Sequence, residues 1–146
     1  MTFAFSKLTE INIKRSERYR HAAEKVRNVY RKTLLMNYSY YAQQLSADLN
    51  RWLAAYQINV QPKSESIVKL SWEKIKDIFA RETETNIYAD CEMLEEEAVR
   101  GYNTAITLSD IPPLAMREVR RHVQHIEKIR ENLKALRNDL NHLQVA

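Results

Sequence analysis

A single glycine, Gly101, and three prolines, Pro62, Pro112 and Pro113, are all the strong backbone breakers in this 146-residue chain. So few breakers leave few places to turn, and the long uninterrupted stretches between them argue for an all-helical fold. The length suits one domain spanning 1–146, with enough chain to bury a core and too little for two ordinary domains.

Apolar spacing divides the chain into four long helices. The first runs from about Phe5 to Arg27, with Leu8, Ile11, Tyr19, Ala22, Ala23 and Val26 turned inward. Its middle is the polar run Lys14-Arg15-Ser16-Glu17-Arg18, where only Ser16 or the aliphatic stem of a long side chain can fill the seam. The pattern breaks around Asn28, and so short a turn makes the first two helices an antiparallel hairpin.

The second helix, Val29 to about Tyr56, carries Tyr30, Leu34, Tyr38, Tyr41, Leu45, Leu49, Trp52 and Tyr56 at spacings of three and four. Met36, Tyr40 and Leu53 add apolar surface off that stripe, more than one neighbouring helix covers, so a fifth segment or a second subunit is expected there. Its aromatics read as packing rather than as a cofactor box. Gln57 to Lys63 reads as a loop. Ser64 or Ser66 then caps a shorter helix to about Phe79, with Ile67, Trp72 and Ile75 on its stripe.

A connection of that length containing its own helix can return along the bundle and let the second and third long helices run parallel. That is the single-crossover arrangement of ferritin-like four-helix bundles. The third helix covers about Glu84 to Thr107, and the fourth runs from about Pro113 to Leu143, with Pro113 suited to its first turn and Asp110 or Ser109 able to help cap it. The fourth has a heptad seam of Ala115, Val119, His122, Ile126, Ile129, Leu133, Leu136, Leu140 and Leu143, interrupted by one polar residue, His122.

The third helix is the chemically suggestive one. Cys91, Leu94, Ala98 and Ala105 form a thin apolar stripe, and Glu95 and Tyr102 share that inward face. A carboxylate facing a bundle interior is where such proteins build metal sites. A dinuclear centre, however, needs two Glu-x-x-His pairs, because residues three apart grip metals from one face. No glutamate has a histidine three residues on: Glu10 is followed by Ile13, Glu17 by Arg20, Glu24 by Arg27, Glu118 by Arg121 and Glu127 by Arg130. The second helix has no glutamate and offers only Asp48. What remains is a rearranged set, Glu95, Glu118, His122 and His125, able in principle to hold iron, manganese or zinc. Against it stands the plainer reading of His122 as a core histidine bonded to Glu95 or Tyr102.

The net charge of +4 is unevenly spread. Residues 1–33 hold nine basic and three acidic side chains, and residues 82–108 hold one basic and seven acidic. Helices that attract one another account for this better than a nucleic-acid surface, since no nucleic-acid-binding signature accompanies the charge. The lone Cys91 cannot form an internal disulfide and reads as a small hydrophobe. No run of about 18 apolar residues marks a membrane span and no secretory signal is evident, so a cytoplasmic location is expected.

Several stretches together resemble one bacterial ferritin-like family, domain of unknown function 2383. They are Cys91-Glu92, Glu95-Glu96 and Tyr102 in the third helix, Glu10-Ile11-Asn12, Tyr19 and Ala22-Ala23-Glu24 in the first, Trp72 with Ile75-Lys76, Ile111-Pro112-Pro113, and Ala135-Leu136-Arg137. The resemblance is collinear over nearly the whole chain. It implies a ferritin-like frame whose acidic positions fall on Ser16, Asn37 and Glu95 and whose fourth-helix histidine falls on Arg130. Only Glu95 keeps a ligand, and a cationic Arg130 would repel a metal. The expectation is a protein with no cofactor that acts by association, with itself or with another protein. The alternative is a metal-dependent oxidoreductase or storage protein using the rearranged site.

Overall fold

The computed structural model describes residues 2–56 and 83–145. Among them are four helices and no strand: α1 (Thr2–Lys25), α2 (Val29–Ala55), α3 (Glu84–Leu108) and α4 (Pro113–Val145). The loop and short helix expected between residues 57 and 79 lie outside the described residues. No described helix is long and apolar enough to cross a membrane.

Local chemistry sets the helix ends. Asn28 closes the three-residue turn after α1, and its side chain accepts the Arg31 N–H at 3.0 Å as the N-cap of α2. Thr83 does the same for α3 through the Asn86 N–H at 3.3 Å. Ser109 is the C-cap of α3, with its N–H on the Ala105 carbonyl. Pro113 opens α4, where the missing proline N–H would be unpaired in any case.

Side-chain pairs fix how the helices run. Asn12 meets Tyr102 and Arg15 meets Glu95, so α1 and α3 are antiparallel. Tyr38 meets Asn132 and Trp52 meets Glu118, so α2 and α4 are antiparallel. Arg31 reaches Glu84, which joins the start of α2 to the start of α3. The second and third helices therefore run parallel, as the length of the connection between them suggests. Among the described helices α1 with α2 and α3 with α4 meet most extensively, and α2 and α4 meet only slightly.

The core is two apolar clusters. One gathers Phe5, Leu8, Leu49, Leu53, Val99, Val119 and Ile126, and the other gathers Tyr19, Val26, Leu35, Tyr38, Ile87, Tyr88, Ile129 and Leu133. Between them every helix contributes buried polar side chains: Asn12, Arg15 and Ser16 from α1, Ser39 and Ser46 from α2, Glu95 from α3 and His122 from α4. Gly101 lies where α3 passes closest to α1. A Cβ there would come within 2.5 Å of Ile11 Cδ1, which accounts for a residue that weakens a helix by about 1 kcal/mol relative to alanine.

The α4 seam lies as its heptads indicate, with Ala115 to Leu133 buried and Leu136 and Leu140 partly so. The α2 face is turned from the expected one. Tyr30, Tyr41 and Tyr56 are exposed, whereas Leu35, Ser39, Ala42, Ser46 and Leu53 join Tyr38 and Leu49 inside. The hairpin partner α1 lies against a strip of small side chains, which lets two helices approach where a tyrosine stripe would hold them apart. Tyrosine hydroxyls are also more easily satisfied at the surface. Leu35→Ala should thus cost about 2–5 kcal/mol in urea denaturation. Tyr30→Ala should change stability by less than about 0.5 kcal/mol, and the opposite order would mean that α2 faces the way its aromatics suggest.

Candidate functional site

The polar layer is built around one ion pair. Arg15 Nε and Nη2 donate to Glu95 Oε1 and Oε2 at 2.6 and 2.7 Å, a two-pronged contact with both side chains fully buried. Arg15 lies one heptad after Leu8 and one before Ala22, so its place in α1 turns the whole guanidinium inward rather than its stem alone. The fork of N–H groups matches a carboxylate edge, which a lysine could not do. Burial by itself would lower the Arg15 pKa, but Glu95 outweighs it and keeps the guanidinium charged above its ordinary range.

The remaining Arg15 donors are also used. Arg15 Nη1 donates to Asn12 Oδ1 at 2.8 Å, and the guanidinium lies over the Tyr19 ring, 5.9 Å from its centroid. With its oxygen so engaged, Asn12 turns its Nδ2 to the Leu8 carbonyl and to Tyr102 Oη, at 3.0 and 2.6 Å. Tyr102 Oη in turn lies 2.9 Å from His122 Nδ1. Ser39 Oγ donates to the Ser16 carbonyl at 2.7 Å and stands 3.2 Å from Ser16 Oγ, so the two serines satisfy one another. Glu95 is thus linked through Arg15, Asn12 and Tyr102 to His122, from α3 to α4 by way of α1.

The four residues of the rearranged metal set separate. Glu95 is taken by Arg15, and His122 bonds Tyr102, one of the two partners expected for a core histidine. His125 is half-buried and packs edge-on against the Tyr41 ring, 5.1 Å between centroids. Glu118 does approach His122, but the third member of that group is Asp48 of α2; the ligand atoms of Asp48, Glu118 and His122 all lie within 4.8 Å of one another. Glu118 also accepts the Trp52 indole N–H. Burial pushes the His122 pKa down to about 4 against the pull of nearby Asp48, so the ring is neutral near pH 7. Cys91 is buried and burial raises its thiol pKa far above the usual range, in keeping with a small core hydrophobe.

Of the positions carried over from the family resemblance, Ser16 and Glu95 face the centre. Asn37 lies on the outside, and Arg130 is half-exposed, 3.4 Å from Glu96. No protein-family model, curated protein or solved structure matches the chain.

Four of the six acids of α3 reach bases on its three neighbours. Glu84 pairs with Arg31 of α2, Glu92 with Arg137 of α4, Glu95 with Arg15 of α1 and Glu96 with Arg130 of α4. The outer pairs are partly solvated and contribute little each, whereas breaking the buried one strands a charge. Glu95→Gln is therefore expected to cost about 3–5 kcal/mol in urea denaturation. The double change Arg15→Met with Glu95→Leu should recover most of that loss, because no charge then remains without a partner. Equal and additive losses would show that the two side chains do not interact.

Proposed function

We propose that the chain is a non-catalytic bundle of the ferritin-like type, in which a paired arginine and glutamate take the place of a dinuclear metal centre, and that it works by associating with a second copy of itself. The observation that carries this reading is the Arg15–Glu95 pair. It puts a permanent positive charge at mid-bundle and engages both oxygens of the one carboxylate there. With both of its oxygens held by the guanidinium, Glu95 has no free edge to offer a metal.

The surface supports association. Val29, Met36 and Tyr40, spaced seven and four apart on one face of α2, are 71%, 43% and 57% exposed. A row of apolar side chains on a helix already packed on its other side is a usual mark of a protein contact. The pairing of α3 acids with bases on all three neighbours favours a protein partner over nucleic acid, because the charge asymmetry is used within the fold.

Size-exclusion chromatography with light scattering tests this. The expected mass is a multiple of the 17.3 kDa chain, shifting toward one chain in Met36→Glu and Tyr40→Glu with helical content unchanged. A protein that stays monomeric at high concentration would rule out self-association.

A further inference from the structure

Where the Arg15–Glu95 network ends at His122, toward the C-terminal part of α2, three side chains meet. Asp48 of α2 and Glu118 and His122 of α4 converge from two antiparallel helices. Two carboxylates near a helix surface would by themselves indicate nothing, as such clusters are common in solvent. The distinguishing group is His122. Its side chain is 4% exposed, its Nε2 is sealed from water without a hydrogen-bond partner, and that atom faces Asp48 Oδ2 at 3.6 Å.

That distance is decisive. It is too long for a hydrogen bond. Two ligands held about 2.0–2.1 Å from one tetrahedral ion, however, lie roughly 3.4 Å apart, so the gap matches the edge of a shared coordination shell. The opposite ring atom, Nδ1, is held by Tyr102 Oη, and one oxygen of Glu118 is held by the Trp52 indole N–H. Supports of this kind orient metal ligands; Tyr102 Oη can accept from His122 Nδ1–H or donate to Nδ1, and an ion at Nε2 would select the tautomer with its proton on Nδ1, which presents a lone pair at Nε2. A neutral imidazole and two carboxylates balance a divalent charge; the exposed Arg51 side chain pairs with the other oxygen of Asp48, leaving Oδ2 toward His122. The imidazole selects zinc-class ions over magnesium or calcium, which prefer oxygen throughout.

We propose that Asp48, Glu118 and His122 bind one divalent transition-metal ion of the zinc class, with water completing its shell, and that the ion clamps α2 to α4. Those two helices otherwise share little contact, so a bond between them has much to add. The site shares His122 with the polar network but uses neither Arg15 nor Glu95 as a ligand, and it does not depend on whether the bundle associates.

Full-length protein stripped with chelator and titrated calorimetrically with zinc chloride tests the proposal. One zinc per chain is expected, with a rise in thermal midpoint that magnesium chloride does not produce. Asp48→Asn and His122→Ala should each weaken zinc at least tenfold, and Trp52→Phe should weaken it about tenfold through Glu118. His142→Ala, at an exposed position near the far end of α4, should change nothing. Cobalt should give the visible absorption of a four-coordinate ion, abolished in Asp48→Asn. If His122→Ala fails to fold, Asp48→Asn and Glu118→Gln, which lie nearer the surface, decide the matter. Absence of zinc binding, or an affinity unmoved by these variants, would overturn the proposal; so would binding lost in His142→Ala.

Discussion

The buried pair of Arg15 and Glu95 is the constraint around which the rest of this bundle is arranged. Removing two charges from water is costly, and the cost is offset only if every donor and acceptor finds a partner in good geometry. That requirement reaches outward from the pair: Asn12 must accept from the guanidinium, its amide must then face Tyr102, and Tyr102 must meet His122. An arginine and a glutamate locked edge to edge tolerate no slip of α1 along α3, so the pair selects one register from those that two apolar clusters alone would permit. Glycine at 101 belongs to the same arrangement, since it leaves room for Ile11 against α3 next to Tyr102 and less than two turns from Glu95.

The remaining acids of α3 extend this outward. Glu84, Glu92 and Glu96 reach basic residues on α2 and α4, so α3 is tied electrostatically to every other described helix. At the surface such pairs add little stability, but they penalise helices docked in a wrong order. The basic first helix meets the acidic third one through the ion pair of Arg15 with Glu95, which solvent does not reach.

The sequence made much of this frame legible. The near absence of glycine and proline, the α4 heptads and the stripe through Cys91, Leu94, Ala98 and Ala105 led directly to helices that are there, with Glu95, Tyr102 and His122 facing inward. Apolar periodicity failed where polar or small side chains occupy the seam. Arg15 keeps the heptad spacing of Leu8 and Ala22, yet a charge in that position reads as a surface residue until its partner is known. On α2, large aromatics outweighed Ser39, Ala42 and Ser46 in the pattern, although small residues are what a close hairpin buries. Asp48 was visible as the one acid of α2, but the search for paired Glu-x-x-His motifs had no place for it. Which of two antiparallel helices will bring a carboxylate to a given histidine is a matter of tertiary register, and spacing within one helix does not encode it.

The layer between the two clusters thus has two parts with different physics. On the α1–α3 side the buried charges Arg15 and Glu95 answer each other, and this closes the middle of the bundle. On the α2–α4 side it has a sealed ring nitrogen facing carboxylates at a distance that no hydrogen bond spans, beside the aromatic face of α2.

The closed centre can be observed directly by nuclear magnetic resonance of the arginine side chains in nitrogen-labelled protein. The Nε proton of Arg15, identified by its loss in Arg15→Met, should resist exchange with deuterated solvent about as long as the backbone amides of Cys91 and Ile126. An Arg15 proton that exchanges as fast as those of exposed arginines such as Arg51 would mean that the guanidinium is in water and that the bundle is organised around something else.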